Sequence, residues 1–248
     1  MTYVVVDKEQ LETDLGIVCD AIREKGRTSE QLAFPLGMKS AVEAIQSGGT
    51  NYLDYVTKLT DLFKNAQFEE NTEITIAPKI LNLSSGDYID AYSICESAEN
   101  LKKIKLIYDN EKPYRITSAF KECREIEEID FGEKIVVNGT STSQIFYNAV
   151  SLKKITSVLD FSLLTSNSSP FTGCASLEYV RLAENSVKTN ISFSNSPLLS
   201  ADSIQSIIDG LADSTGGTAR TVTFHKDVKA KLTDEQKTQT TSKNWILA

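Results

Sequence analysis

A repeat with a period of 25 or 26 residues constrains this chain more than any other feature. The segments CESAENLKKIKL from Cys95, FKECREIEEIDF from Phe120, FYNAVSLKKITS from Phe146 and FTGCASLEYVRL from Phe171 align without gaps, with steps of 25, 26 and 25 residues between their starts. Each begins with a large or sulfur-bearing residue: Cys95, Phe120, Phe146 or Phe171. At intervals of three follow a small residue (Ala98, Cys123, Ala149, Cys174), an aliphatic one (Leu101, Ile126, Leu152, Leu177) and a β-branched one (Ile104, Ile129, Ile155, Val180). Spacing by three puts one side chain at each corner of a coil, all pointing to one interior. A single coil cannot bury such a row, so neighbouring coils must stack and share a core. These residues are the expected core of a solenoid. The Ala/Cys column is small because adjacent turns crowd there, which makes the cysteines packing residues rather than chemical ones. Strand-like stubs follow in IKLIY, IDF and YVRL, and these are expected to pair coil to coil into a narrow parallel sheet.

A weaker unit precedes the four, with Phe63 and Ala66 before TEITI, and a degenerate one follows in ISFSNSPLL, with Asn195 and Leu198 at the repeat positions. Atypical terminal units are expected because they cap a stack, and the solenoid is placed at residues 63–199. Before it, residues 1–62 read as helical. Leu11, Leu15, Val18, Cys19 and Ile22 share one face. A second helix begins near Pro35, turns Ala41, Val42 and Ile45 inward and stops at Gly48 and Gly49. The stretch NYLDYVTKLTDLF reads as a third amphipathic helix with Tyr52, Tyr55, Val56, Leu59, Leu62 and Phe63 on its stripe, serving as core or as a seam between protomers. Residues 200–248 read as a small α/β cap. Ser200 starts a helix that turns Ile204, Ile207, Ile208 and Leu211 to one side, TVTF ending at Phe224 alternates as a strand, and Thr233 with Gln236 forms a capping box just after Leu232. Trp245 and Leu247 return to cover the stack end, whose apolar rows and strand edge need covering. The fold class is therefore α+β: a short helical N-terminal region, an irregular solenoid with a narrow parallel sheet, and a small α/β C-terminal cap.

The formal net charge of −8 argues against nucleic-acid binding, which needs clustered Lys and Arg to displace counterions. No stretch approaches the about 20 apolar residues of a membrane span, and the N-terminal apolar run is too short for a signal-peptide core. The single histidine, His225, leaves little for histidine-based catalysis or metal binding and reads as a strand-end residue. No P-loop, dinucleotide fingerprint, zinc-protease helix, nucleophile elbow or calcium loop occurs. Glu127, Glu128 and Asp130 read as a solvated face rather than an acid pair, and the sequons at Asn82, Asn138, Asn167 and Asn190 as polar loop chemistry. No enzyme activity, cofactor or metal is expected.

The F-x-x-C-x-x-L-x-x-I units, clearest at Phe120, Cys123, Ile126 and Ile129 and at Phe171, Cys174, Leu177 and Val180, resemble the leucine-rich repeats of BspA-like surface proteins. Cys95 in place of Phe and the inserts DNEKPYRITS and GTSTSQI depart from that pattern. CDAIREKGRTSEQLAFPLGMKSAVEAI, through Asp20 to Gly26, Thr28, Phe34, Pro35 and Ile45, is similar to a helical segment of structural proteins of tailed phages that infect Gram-positive hosts. The run from Leu199 to Ile208, Gly216 and Gly217, Thr221 to Phe224, Leu232 to Gln236 and Lys243 to Ala248 is similar to the module that closes many repeat-bearing phage tail proteins and BspA-like proteins. These resemblances imply a virion structural protein of tail, baseplate or fibre type. Its N-terminal region would bind other virion proteins, and its repeats would hold a host cell-surface glycan or protein. A homo-oligomer, trimer or ring, is implied by analogy. Assembly in the host cytoplasm would place the protein in the virion without a signal peptide. The alternative is a bacterial BspA-like interaction or adhesion module with no virion role.

Overall fold

The computed structural model describes residues 50–53, 59–76, 84–85, 88–106, 112–139, 144–166 and 169–248. All belong to the second of two compact units, Ser47–Ala248. The two helices expected before residue 50 lie outside the described residues. The architecture is mixed, with mostly parallel strands and, among the described residues, helices only near the C-terminus. In chain order the elements are β1 (Thr50–Leu53), β2 (Gln67–Ile76), β3 (Ser84–Ser85), β4 (Tyr88–Asp90), β5 (Glu99–Leu106), β6 (Tyr114–Arg115), β7 (Glu128–Asp130), β8 (Lys134–Val136), β9 (Lys154–Asp160), β10 (Tyr179–Leu182), β11 (Ile191–Phe193), α1 (Ala201–Gly210), β12 (Arg220–Phe224), α2 (Lys226–Lys229), α3 (Asp234–Ser242) and β13 (Trp245–Leu247).

The main sheet runs β1-β2-β5-β7-β9-β10, with β8 also paired to β9, and every pairing in it is parallel. Its register follows the repeat, so that Ile74, Ile104, Ile129 and Ile155 lie in one line across four strands. Burial within β5 shows why: Leu101, Ile104 and Leu106 turn inward while Lys103 and Lys105 stay exposed. A smaller sheet, β3-β4-β6, lies off this path, with β4 and β6 parallel.

A second ladder, made by turns rather than strands, runs through the phenylalanine positions. The backbone N–H groups of Phe63, Cys95, Phe120 and Phe146 donate to Ile94, Ala119, Ile145 and Pro170 of the following unit at 2.7–3.2 Å. Two residues on, Asn65, Ser97, Glu122 and Asn148 do the same to Glu96, Lys121, Tyr147 and Thr172. To aim that N–H along the stack, the backbone there turns left-handed, with φ between 56° and 59° at Asn65, Ser97, Glu122 and Asn148 and 80° at Gly173. Asparagine and glycine suit that region; serine and glutamate tolerate it at a cost.

Inside the stack the rings of Phe120, Phe146, Phe171, Phe193 and Phe224 lie nearly parallel in sequence, with centroids 4.7–6.1 Å apart. Beside them the small column is hydrogen-bonded as well as packed. The Cys123 thiol donates to the Cys95 carbonyl, the Cys174 thiol to Phe146 O at 3.1 Å and the Ser196 hydroxyl to Cys174 O at 3.2 Å. A short side chain with a donor both fits the crowded position and satisfies a buried carbonyl of the preceding unit.

Two expectations need correction. Thr50–Leu53 is a strand paired with Glu73–Ile76 rather than the start of a third helix, and residues 60–65 form a turn, with Phe63 inside it and Leu59 just before it both buried. The triplet spacing of a coil imitates the i, i+3 stripe of a helix, and β2 offers an open edge that rewards strand pairing instead. Tyr55 and Val56 lie outside the described residues. The terminal unit is also shifted by one. Phe193, Ser196 and Leu199 are buried at the repeat positions, whereas Asn195 is exposed and Leu198 is 52% exposed.

The last strand of the main sheet, β10, is not left as an open edge. Helix α1, N-capped by Ser200, lies against it and supplies hydroxyls where a further strand would supply peptide groups. Val180 N–H donates to Ser203 Oγ and Leu182 N–H to Ser206 Oγ, each at 3.0 Å, while Ser203 Oγ donates to Glu178 O. Gly210 ends the helix where a Cβ would stand 2.8 Å from Leu182 Cβ, so the close approach requires glycine. The turn ladder is closed differently, by the parallel sheet β11-β12-β13.

Candidate ligand-facing surface

The sixteen residues of the four clear repeats sit in the interior. Cys95, Ala98, Leu101, Ile104, Phe120, Cys123, Ile126, Ile129, Phe146, Ala149, Leu152, Ile155, Phe171, Cys174, Leu177 and Val180 are at most 1% exposed. In the terminal region Ile204, Ile208, Leu211, Phe224, Leu232 and Trp245 are buried, and Leu247 is half-buried. Trp245 Nε1 donates to Ala212 O at 2.8 Å. Burial pushes the Cys123 and Cys174 thiols up to about 12, and the Cys95 thiol well above its ordinary value. Thiols so held remain protonated and unreactive at neutral pH. The buried members of this set are closed to any ligand, and the accessible chemistry of the repeats lies in the side chains that point out between them.

On the outward face of the main sheet, charge alternates from unit to unit. Lys102, Glu127, Lys153 and Glu178 occupy equivalent positions in successive repeats, with Lys102 and Lys153 at 3.5 and 2.8 Å from the Glu127 carboxylate. One residue on, Glu73, Lys103, Glu128, Lys154 and Tyr179 lie in register across five strands. Lys103 pairs with Glu73 at 3.1 Å and Lys105 with Asp130 at 3.1 Å. Cross-strand neighbours of opposite sign stabilise a sheet modestly, whereas like charges there would oppose it. Glu73, Glu127 and Asp130 are thus engaged in ion pairs along the stack. The alternation breaks at Tyr179, where Lys154 and Arg181 both approach one ring, at 5.6 and 5.9 Å from its centroid.

A second charged line runs along the turn ladder. Glu96 receives Lys64 of the preceding unit at 2.9 Å and Lys121 of the following one at 3.0 Å, and Ser93 donates to it at 2.8 Å. Burial opposes its ionisation, but these donors together hold its carboxyl down at about 2. At the small sheet, Arg115 makes a two-pronged ion pair with Asp90 and lies 5.6 Å from the Tyr88 ring and 5.4 Å from that of Tyr92. A shallow depression of about 330 Å³ opens between Ser97, Glu99, Asn100, Glu122, Arg124 and Glu125.

His225 lies just past the end of β12. Its Nδ1 accepts from Asp227 N–H as the N-cap of α2. Among the described residues no group of three or more His, Cys, Asp or Glu side chains could hold a metal ion, and no helix is long and apolar enough to cross a membrane. Asn190 accepts from Thr221 N–H at 2.8 Å, joining the last unit to β12.

The charged lines were readable in advance. Residues 102–103, 127–128 and 153–154 read KK, EE and KK at one-period intervals, an alternation that the inward triplets obscure. Ser203 and Ser206 carry no comparable signal, because their partners are backbone groups more than 20 residues away. Compared with family models, curated proteins and solved structures, the chain matches none.

Proposed function

We propose that residues 63–199, with the strand Thr50–Leu53 added at the edge of β2, form a leucine-rich-repeat solenoid of the BspA-like kind. We further propose that the chain is a non-enzymatic structural component of a tailed-phage particle, of tail, baseplate or fibre type, whose outward repeat surface adheres to the host. The observation that carries this reading is the division between faces. The inward positions are uniform and consumed in packing, while the outward positions differ in charge and side chain from unit to unit. Such a scaffold suits binding, since its stability lies in the stacked core and its specificity in exposed side chains. The phage-like segments at both ends of the chain supply the particle context, and assembly in the host cytoplasm follows from it. The N-terminal region would join sister chains and other particle proteins.

Quantitative mass spectrometry of density-purified particles tests the reading. The full chain is expected at a fixed copy number per particle, and labelled full-length protein is expected to bind host cells. Recovery in the cell-wall fraction of uninfected bacteria, with particles lacking the chain, would overturn it in favour of a bacterial BspA-like adhesion module.

A further inference from the structure

The break in the charge alternation is the feature that packing does not explain. Along the outward line Glu73, Lys103, Glu128, Lys154, the next position in the pattern would be a carboxylate, and Tyr179 stands there. Arg181, two residues along the same strand and outward like Tyr179, adds a second cation where the preceding rows have compensation. Among the described residues, neither Lys154 nor Arg181 has a carboxylate within ion-pair distance, although Lys102, Lys103, Lys105 and Lys153 all do. Both cations are exposed and both are held near one half-buried tyrosine ring. Arg181 is further fixed by donating Nη2–H to Thr156 O at 2.6 Å, which leaves the remaining donors of its fork free.

Two like charges gathered on one ring, in a protein of net charge −8, form a local positive potential that an anion would relieve. The half-buried ring, over which both cations lie, adds apolar surface at its exposed part. A sugar ring whose C–H groups meet that exposed part of Tyr179 and whose acidic substituent reaches Lys154 and Arg181 fits both halves of that description. A nucleic acid does not fit, because its binding rests on many phosphates engaged at once and two cations in an acidic protein offset few of them, whereas one acidic substituent needs only these two. An acidic peptide would gain from the charges but finds no apolar pocket beside them. We infer that Lys154, Tyr179 and Arg181 form a binding subsite for an acidic saccharide, carrying either carboxylate or phosphodiester groups. This rests on the adhesion reading above and names the ligand class it would use.

The test uses the full-length chain and four probes: a hyaluronate hexamer, a phosphodiester-linked hexose oligomer, uncharged chitohexaose and a short polyglutamate peptide. Calorimetry is expected to detect the hyaluronate, the phosphodiester-linked oligomer or both, in a salt-sensitive manner, and neither of the other two. The comparison of the first two identifies the acidic group. Tyr179→Ala, Arg181→Gln and Lys154→Gln are each expected to weaken binding by about tenfold, the scale of one stacking or charge-assisted contact. Tyr179→Glu restores the alternation and is expected to abolish binding while leaving thermal stability unchanged or raised, so that loss of binding there cannot be attributed to unfolding. The inference is overturned if neither acidic saccharide binds, if polyglutamate binds as well as they do, or if the variants bind like the native chain. Native protein that binds host cells, with variants that bind them equally, would sink the subsite and leave adhesion standing. Saccharide binding without cell binding would do the reverse.

Discussion

Single positions in this stack are constrained by the neighbouring unit, and Gly173 shows how tightly. Its φ of +80° is unfavourable for any residue with a Cβ, and a Cβ built there would stand 2.3 Å from Asn148 Oδ1 and 3.0 Å from Asn148 Cα. The side-chain oxygen can move but the backbone carbon cannot, so Gly173→Ala is expected to destabilise by about 1–3 kcal/mol, measured by chemical denaturation. Cys123 and Cys174, both fully buried, face the same crowding. Enlarging either to Phe is expected to cost roughly 1–3 kcal/mol through overpacking. In the native protein neither thiol should react with an exposed-thiol reagent on the timescale that labels the denatured chain. Rapid native labelling of both would contradict the register of the whole column.

Elements in this protein are held by links that skip a full period, so the loss of one group is felt across units. Glu96 bridges three of them through Lys64 and Lys121. Because its carboxyl is held down at about 2, below the ordinary carboxylate range, its contribution is complete above about pH 5 and fades as the pH falls toward 2. Glu96→Gln should therefore lower stability at neutral pH by about 1 kcal/mol, the scale of a partly screened network, and flatten the decline between pH 5 and pH 2. Equal acid sensitivity in both proteins would show that the network contributes nothing. At the far edge, Ser203→Ala would leave the buried Val180 N–H without its acceptor, at a cost of about 1–3 kcal/mol. Amide exchange at Val180 is expected to accelerate with it. Most strands of the main sheet were legible because inward triplets mark where each coil turns and where each strand follows. The edge-capping role of α1 was not legible: Ser203 and Ser206 look like ordinary polar helix residues until the helix is seated against β10. The shifted terminal unit was misread for a related reason, since serine at 196 replaces the Ala/Cys signature while keeping its hydrogen bond.

Over the whole molecule, the stack needs a different closure at each end, and this decides where it can be cut. At the C-terminal end α1 covers β10 while β12 and β13 extend the phenylalanine ladder, and Lys243 Nζ, donating to the carbonyls of Ile208, Asp209 and Leu211, ties the last segment to the end of α1. Burial among these carbonyls lowers the ammonium pKa. At the other end the described closure is β1, four residues paired in parallel with Glu73–Ile76. The sequence pattern alone set the start of the repeats at residue 63, which would leave β1 on the wrong side of the cut. Removing it turns β2, a ten-residue strand, into an open edge, and long open edges recruit other chains. Two fragments separate the alternatives. Residues 47–248 are expected to fold cooperatively and remain monodisperse by size-exclusion chromatography with light scattering. Residues 63–248 are expected to lose roughly 1–3 kcal/mol from the missing cross-strand pairs and to self-associate as concentration rises. If the shorter fragment were as stable and as monodisperse as the longer, β1 would be an accessory strand and the closure would lie elsewhere in the stack.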